Sequence, residues 1–118
     1  MNPLSAGVLR HRISLTKMVE VDDGHGGFEE MPVIVASRLP AEVEPLAGRD
    51  LQYAQQIEAR ATYRVRIRFH PDVTSEQTLT YHDDRCGDRT FEIVAPPLDV
   101  GERHWEQQLL CREAEKTP

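Results

Sequence analysis

The sequence predicts a mainly β fold, a small antiparallel barrel or sandwich of about six strands with one short helix inserted between the second and third. Three observations predict it. Residues 61–70 alternate without a break between β-favouring apolar side chains and polar ones. Similar short alternating runs recur along the chain, separated by Gly, Pro and Asp clusters. The apolar period changes from two to that of a helix only once, so no βαβ repeat is present.

The first strand is expected over Leu9 to Met18, with Leu9, Ile13 and Leu15 on one face beside His11. His11 interrupts that face and reads as a hydrogen-bonded histidine at a barrel rim. Val21 to Gly27 is a turn cluster in which glycines accept positive φ and aspartates bond back to the backbone. A mobile hairpin loop over about residues 21–29 follows. It lacks the lysine of a phosphate loop and the distal glutamate of a calcium loop.

A long, broken strand is expected over Met31 to Glu44, with Val33, Val35, Leu39, Ala41 and Val43 on one parity. Pro32 and Pro40 each remove a ladder donor and should mark an edge, bend or bulge. From Leu46 to Glu58 the apolar residues Leu46, Tyr53, Ala54 and Ile57, with Leu51 close by, form one helical stripe. So short a helix is marginal alone and needs the sheet or a neighbouring subunit.

The strand Ala61 to His70 anchors the fold. Tyr63, Val65, Ile67 and Phe69 should point inward, and Arg64, Arg66 and Arg68 outward. A one-residue slip would bury three arginines, so its register is fixed. Gln77 to His82 and Arg89 to Val94 form a hairpin around Gly87, with Leu79, Tyr81, Phe91 and Ile93 inward. The last strand, His104 to Arg112, puts Trp105, Leu109 and Cys111 on one parity, with Gln107 diluting it. Residues 113–118 should fray.

One domain accommodates the 118 residues. The net charge of −6 argues against generic polyanion binding. Charge alternates along the chain: +3 over residues 1–19, −6 over 20–50, +3 over 51–70 and −6 over 71–118. Such segments favour opposite-charge contacts within a subunit or between copies. Cys86 and Cys111 have no Cys-x-x-Cys spacing and read as free thiols in a reducing compartment, with a single disulfide as the alternative. No leader-like or membrane-spanning apolar run is present, so no membrane partner is expected.

Little chemistry is encoded. The five histidines are scattered one per element, without zinc-ligand spacing. Asp83 and Asp84 beside His82 read as a turn, and Cys86 lies among acids that disfavour a thiolate. No catalytic residue, cofactor or metal site is expected. A nucleic-acid-binding barrel is the first alternative, but alternation separates Tyr63 and Phe69 from Arg64, Arg66 and Arg68, leaving the basic face without a stacking platform. A solvated or inter-subunit arginine face fits better. A hydrolase or metal enzyme is the least supported class.

The order of segments carries a resemblance. Gly7-Val-Leu-Arg-His-Arg-Ile13, then Ala41-Glu-Val-Glu-Pro-Leu-Ala-Gly-Arg-Asp50, Ala54-Gln and the Arg-Val-Arg-Ile-Arg-Phe strand resemble the head–tail joining (head-closure, or stopper) proteins of long-tailed bacteriophages. Thr90-Phe-Glu-Ile-Val94 and Leu109-Leu-Cys111-Arg-Glu complete the layout. Two positions depart from it. Val35 stands where the family often has tryptophan, and Asp50 where it often has glutamate. A phage, a prophage or a domesticated phage-like particle are equally compatible sources.

The resemblance implies a non-enzymatic virion protein of the neck, assembled from the host cytoplasm. It implies a ring of on the order of a dozen copies, because a cyclic assembly matched to a portal uses two different patches per subunit. The portal and adaptor would lie above and the tail or its terminator below, with double-stranded DNA passing through without sequence recognition. It further implies that residues 46–60 project toward the channel and close it, with Leu46, Gly48, Arg49, Asp50, Tyr53, Gln56 and Ile57 as gating or subunit-contact positions. Arg64, Arg66 and Arg68 would form an inter-subunit charge face. A tail-completion or minor tail protein is the competing role within the same particle.

Overall fold

A computed structural model describes residues 9–114. The strands are β1 (His11–Asp22), β2 (Phe28–Pro45), β3 (Tyr63–Arg68), β4 (Thr78–Asp83), β5 (Gly87–Ile93), β6 (Leu98–Asp99) and β7 (Glu106–Glu113). One helix, α1 (Gly48–Ile57), lies between β2 and β3, and a single 3-10 turn covers Val100–Glu102. The strand order is β3-β2-β1-β4-β5-β7-β6, all antiparallel, and β3 also pairs with β7. The sheet therefore closes on itself. The sequence expectation of about six strands and one inserted helix holds, with the two-residue β6 added beside β7.

Closure explains the alternation. Ile13, Leu15, Ala41, Val43, Val65, Ile67, Leu79, Phe91, Ile93, Leu109 and Cys111 point into one buried cluster, which Val73 completes from the β3–β4 loop. Each fully buried Leu, Ile, Val or Phe contributes about 1.5–3 kcal/mol. Arg89 closes one end of this core. Its guanidinium donates to Glu113 at 2.8 and 2.9 Å, to Asp83 at 3.3 Å and to the Tyr63 hydroxyl at 3.2 Å. It also lies within 6 Å of the ring centroids of Tyr63, Tyr81 and Phe91. The Glu113 hydrogen bonds outweigh burial and raise the Arg89 pKa further.

His11 sits at the rim as expected. Its Nδ1 accepts from the Val43 N–H at 3.0 Å, and its ring meets Tyr81 edge-on. Both cysteines are free, Cys86 exposed and Cys111 buried. Burial pushes the Cys111 thiol up to about 12.

The β1–β2 hairpin differs from a loop spanning residues 21–29. Its ladder runs to Asp22 opposite Phe28, leaving only Asp23 to Gly27 as the turn. Asp23 Oδ1 accepts from the N–H groups of His25 and Gly27, and Gly24 and Gly26 adopt φ of 81° and 80°. Near its middle the hairpin is irregular, with register shifts around Leu15 and Arg38 at φ 53°. Pro40 lies just past that irregularity, and β2 begins pairing with β3 one residue later.

Two inward assignments are corrected. Trp105 precedes β7 and is 43% exposed, with Arg103 over its ring at 5.8 Å. Phe69 lies beyond the end of β3, half-buried against His104. Phe69 falls outside because β3 ends at Arg68, and Trp105 because β7 begins only at Glu106, where alternation alone starts the strand at His104.

Candidate functional site

The helix forms because the chain leaves the sheet at Pro45 and must return at Tyr63. Its local signals are weak. The N-cap is Ala47, which offers no side-chain bond, and Asp50 is the only acid in the first turn. Tertiary contacts hold it instead. Ala54 packs with Ala61, Val94, Ala95 and Leu110, and Leu46 lies against this second cluster. Gln55 Nε2 also donates to the Ala61 carbonyl at 3.2 Å.

The expected helical stripe is thus only partly covered. Tyr53 is 59% and Ile57 62% exposed, while Ala54 is the only buried residue of α1. Gly48, Arg49, Asp50 and Gln56 are exposed as well. Tyr53, Ile57, Asp50 and Leu46 border a shallow cleft of about 210 Å³ with Arg64, Leu98 and Leu110. Leu110 was missed in the sequence because it shares parity with outward positions. It is buried because α1 lies over the outside of the sheet there. Only the helical period of residues 46–58 hinted at such a cover.

The three arginines of β3 face outward, but two are neutralised inside the chain. Arg64 pairs with Glu44, Nε to Oε1 at 2.7 Å. Arg66 lies 2.6 Å from the buried Glu106 carboxylate and 3.6 Å from Glu42. Burial opposes the charge on Arg66, yet the Glu106 hydrogen bond and the surrounding carboxylates raise its pKa overall. Arg68 is exposed and makes no ion pair among the described residues. A basic track for nucleic acid is therefore not what this face presents.

Serine, histidine and aspartate do meet on the outer face of β1, β4 and β5. Ser14 Oγ is 2.7 Å from His82 Nε2, and His82 Nδ1 is 3.0 Å from Asp88 Oδ1. Ser14 Oγ also accepts the Arg38 N–H at 3.1 Å, which ties down the irregular part of β2. Neither of the two described clefts is lined by Ser14, His82 or Asp88. The line is a cross-strand hydrogen-bond chain. Among the described residues no group of three His, Cys, Asp or Glu side chains is placed to hold a metal ion. No described helix is long and apolar enough to cross a membrane.

The solution structure of protein SF1141 from Shigella flexneri 2a superposes with a TM-score of 0.78 at 23% identity, covering 97% of this chain and 100% of that one. At that identity the likeness is one of fold. No curated protein matches. The family model for phage head completion proteins matches residues 4–114. A closed β sheet with one inserted helix, and a match running through nearly all of its sequence, lead to one assignment: the chain belongs to the phage head completion protein family, whose role in the virion is structural.

Proposed function

We propose that the chain is a head-closure connector, forming a ring between the portal–adaptor complex and the tail, retaining packaged DNA and offering the tail a platform. Membership of the head completion family across residues 4–114 carries this reading. The geometry supports it in two ways. First, the excursion between β2 and β3 presents side chains that the subunit does not cover, chiefly Tyr53 and Ile57, beside Arg49, Asp50 and Gln56. In a ring these would face a neighbour or the channel. Second, the net charge of −6 suits a lumen past which DNA slides without adhering.

The gate is the segment Leu46–Arg60. Leu46 and Ala54 hold it to the sheet, while Gly48, with φ 57°, opens the helix. Removing the segment outright would uncover Val94 and Leu110, so a point test is cleaner. The double substitution Tyr53→Ser/Ile57→Ser removes exposed side chains and should leave stability within about 0.5 kcal/mol of wild type. Filled heads carrying it are expected to lose DNA to nuclease. Full retention of DNA by a correctly folded variant would remove the gating role.

A further inference from the structure

Beyond residue 16 the β1–β2 hairpin has no third strand. β4 pairs only with Ile13 to Thr16, and β3 only from Ala41 onward. Lys17–Asp22 and residues 28–35 therefore form a two-stranded arm on a molecule whose longest dimension is 52 Å. Such a ribbon is marginal in water without cover. It nonetheless exposes Phe28 (72%), Ile34 (67%), Met18, Met31 and Val33. That many apolar side chains on one projection mark a contact surface.

Charge is sorted along one side of this ribbon. Arg10 and Arg12 stand at its base, with Arg38 held near them through its N–H to Ser14. Thr16 and Met18, opposite Ile34 and Pro32, form the middle. At the tip Glu20 lies directly opposite Glu30, followed by Asp22 opposite Phe28. Like charges facing each other across a ladder are destabilising. None of Arg10, Arg12, Arg38, Glu20 and Glu30 has an ion-pair partner among the described residues.

The two charge sets cannot meet within one molecule. Glu20 is eight residues along β1 from Arg12, about 26 Å of strand and several Debye lengths at physiological salt. A second copy brings them together. We propose that the arm is the lateral joint of the assembly: the acidic, Phe28-bearing tip of one copy lies on the Arg10–Arg12–Arg38 base of the next, covering Met18 and Ile34 between them. This rests on the ring reading above. Tip and base are different patches, so the contact is heterologous and each added copy leaves one of each open until the ring closes.

The test uses assembled particles whose chain carries Arg12→Cys and Glu30→Cys in a Cys86→Ser background. After mild oxidation they are dissolved in detergent without reductant. Disulfide-linked species extending beyond the dimer are expected, and they should disappear when either introduced cysteine is omitted. A product stopping at the dimer, with Met18→Cys alone also cross-linking, would mean two-fold pairing and overturn the proposal. Absence of linked species in particles whose images show a ring overturns the joint and leaves the ring standing. Images without a ring remove both. Charge exchange gives a second arm. Glu20→Lys/Glu30→Lys should abolish incorporation, and adding Arg10→Glu/Arg12→Glu to the same chain should restore it; no restoration contradicts the pairing.

Discussion

Arg66 and Arg68 leave the same strand on the same side and face different conditions. Arg66 neutralises Glu106, a carboxylate only 4% exposed, whereas Arg68 is exposed and unpaired among the described residues. Arg66→Ala would strand a buried charge and should cost about 2–4 kcal/mol in a urea melt. Arg68→Ala should stay within about 0.5 kcal/mol of wild type. Ile67→Asp, on the opposite face and 1% exposed, should prevent folding. Equal effects at the two arginines would refute the pairing. The thiols separate in the same manner: Cys86 should react in the native protein, and Cys111 only after denaturation, as counted with a thiol reagent. Alternation alone made the facing of these arginines legible. Their partners were not, because Glu42, Glu44 and Glu106 meet them only through ladder registers that the residue pattern does not encode.

At the scale of elements, α1 and β7 are where packing adds what periodicity lacks. Leu109 and Leu110 are adjacent and both buried, one inside the sheet and one beneath the helix. Leu110→Ala is therefore expected to cost about 2–4 kcal/mol, where an outward-facing position would cost almost nothing. A melt unchanged by that substitution would place α1 elsewhere. The change of period at residues 46–58 was enough to read a helix between the second and third strands. It could not say that Tyr53 and Ile57 stay exposed, because the stripe is wider than the strip of sheet that covers it. The hairpin was likewise legible as a turn, but not as an arm. Val33 shares the parity of core residues, but the short reach of β3 and β4 leaves it 40% exposed, beside Ile34 at 67% on the other face.

For the whole molecule, closure through β3 and β7 makes folding cooperative, and surface ion pairs couple it to pH. Asp83 is held below the ordinary carboxylate range by the N–H groups of Arg85 and Cys86 and by Arg89, and Glu92 by Arg112. Groups depressed on folding stabilise above their unfolded pKa and cease to as pH falls through the folded one. Stability should be level from neutrality to about pH 5 and decline below about pH 4; a gain on acidification through that window would contradict these pairings. The same surface leaves the α1 side chains Tyr53 and Ile57 and the arm uncovered, and the proposed ring would cover them. Imaging of DNA-filled particles containing this chain tests that claim most directly. The account predicts a closed ring of it between portal complex and tail, with arms reaching neighbouring copies and Tyr53 and Ile57 turned to the channel or the next subunit. Density for the chain confined to tails detached from heads, or present there as isolated single copies, would contradict it.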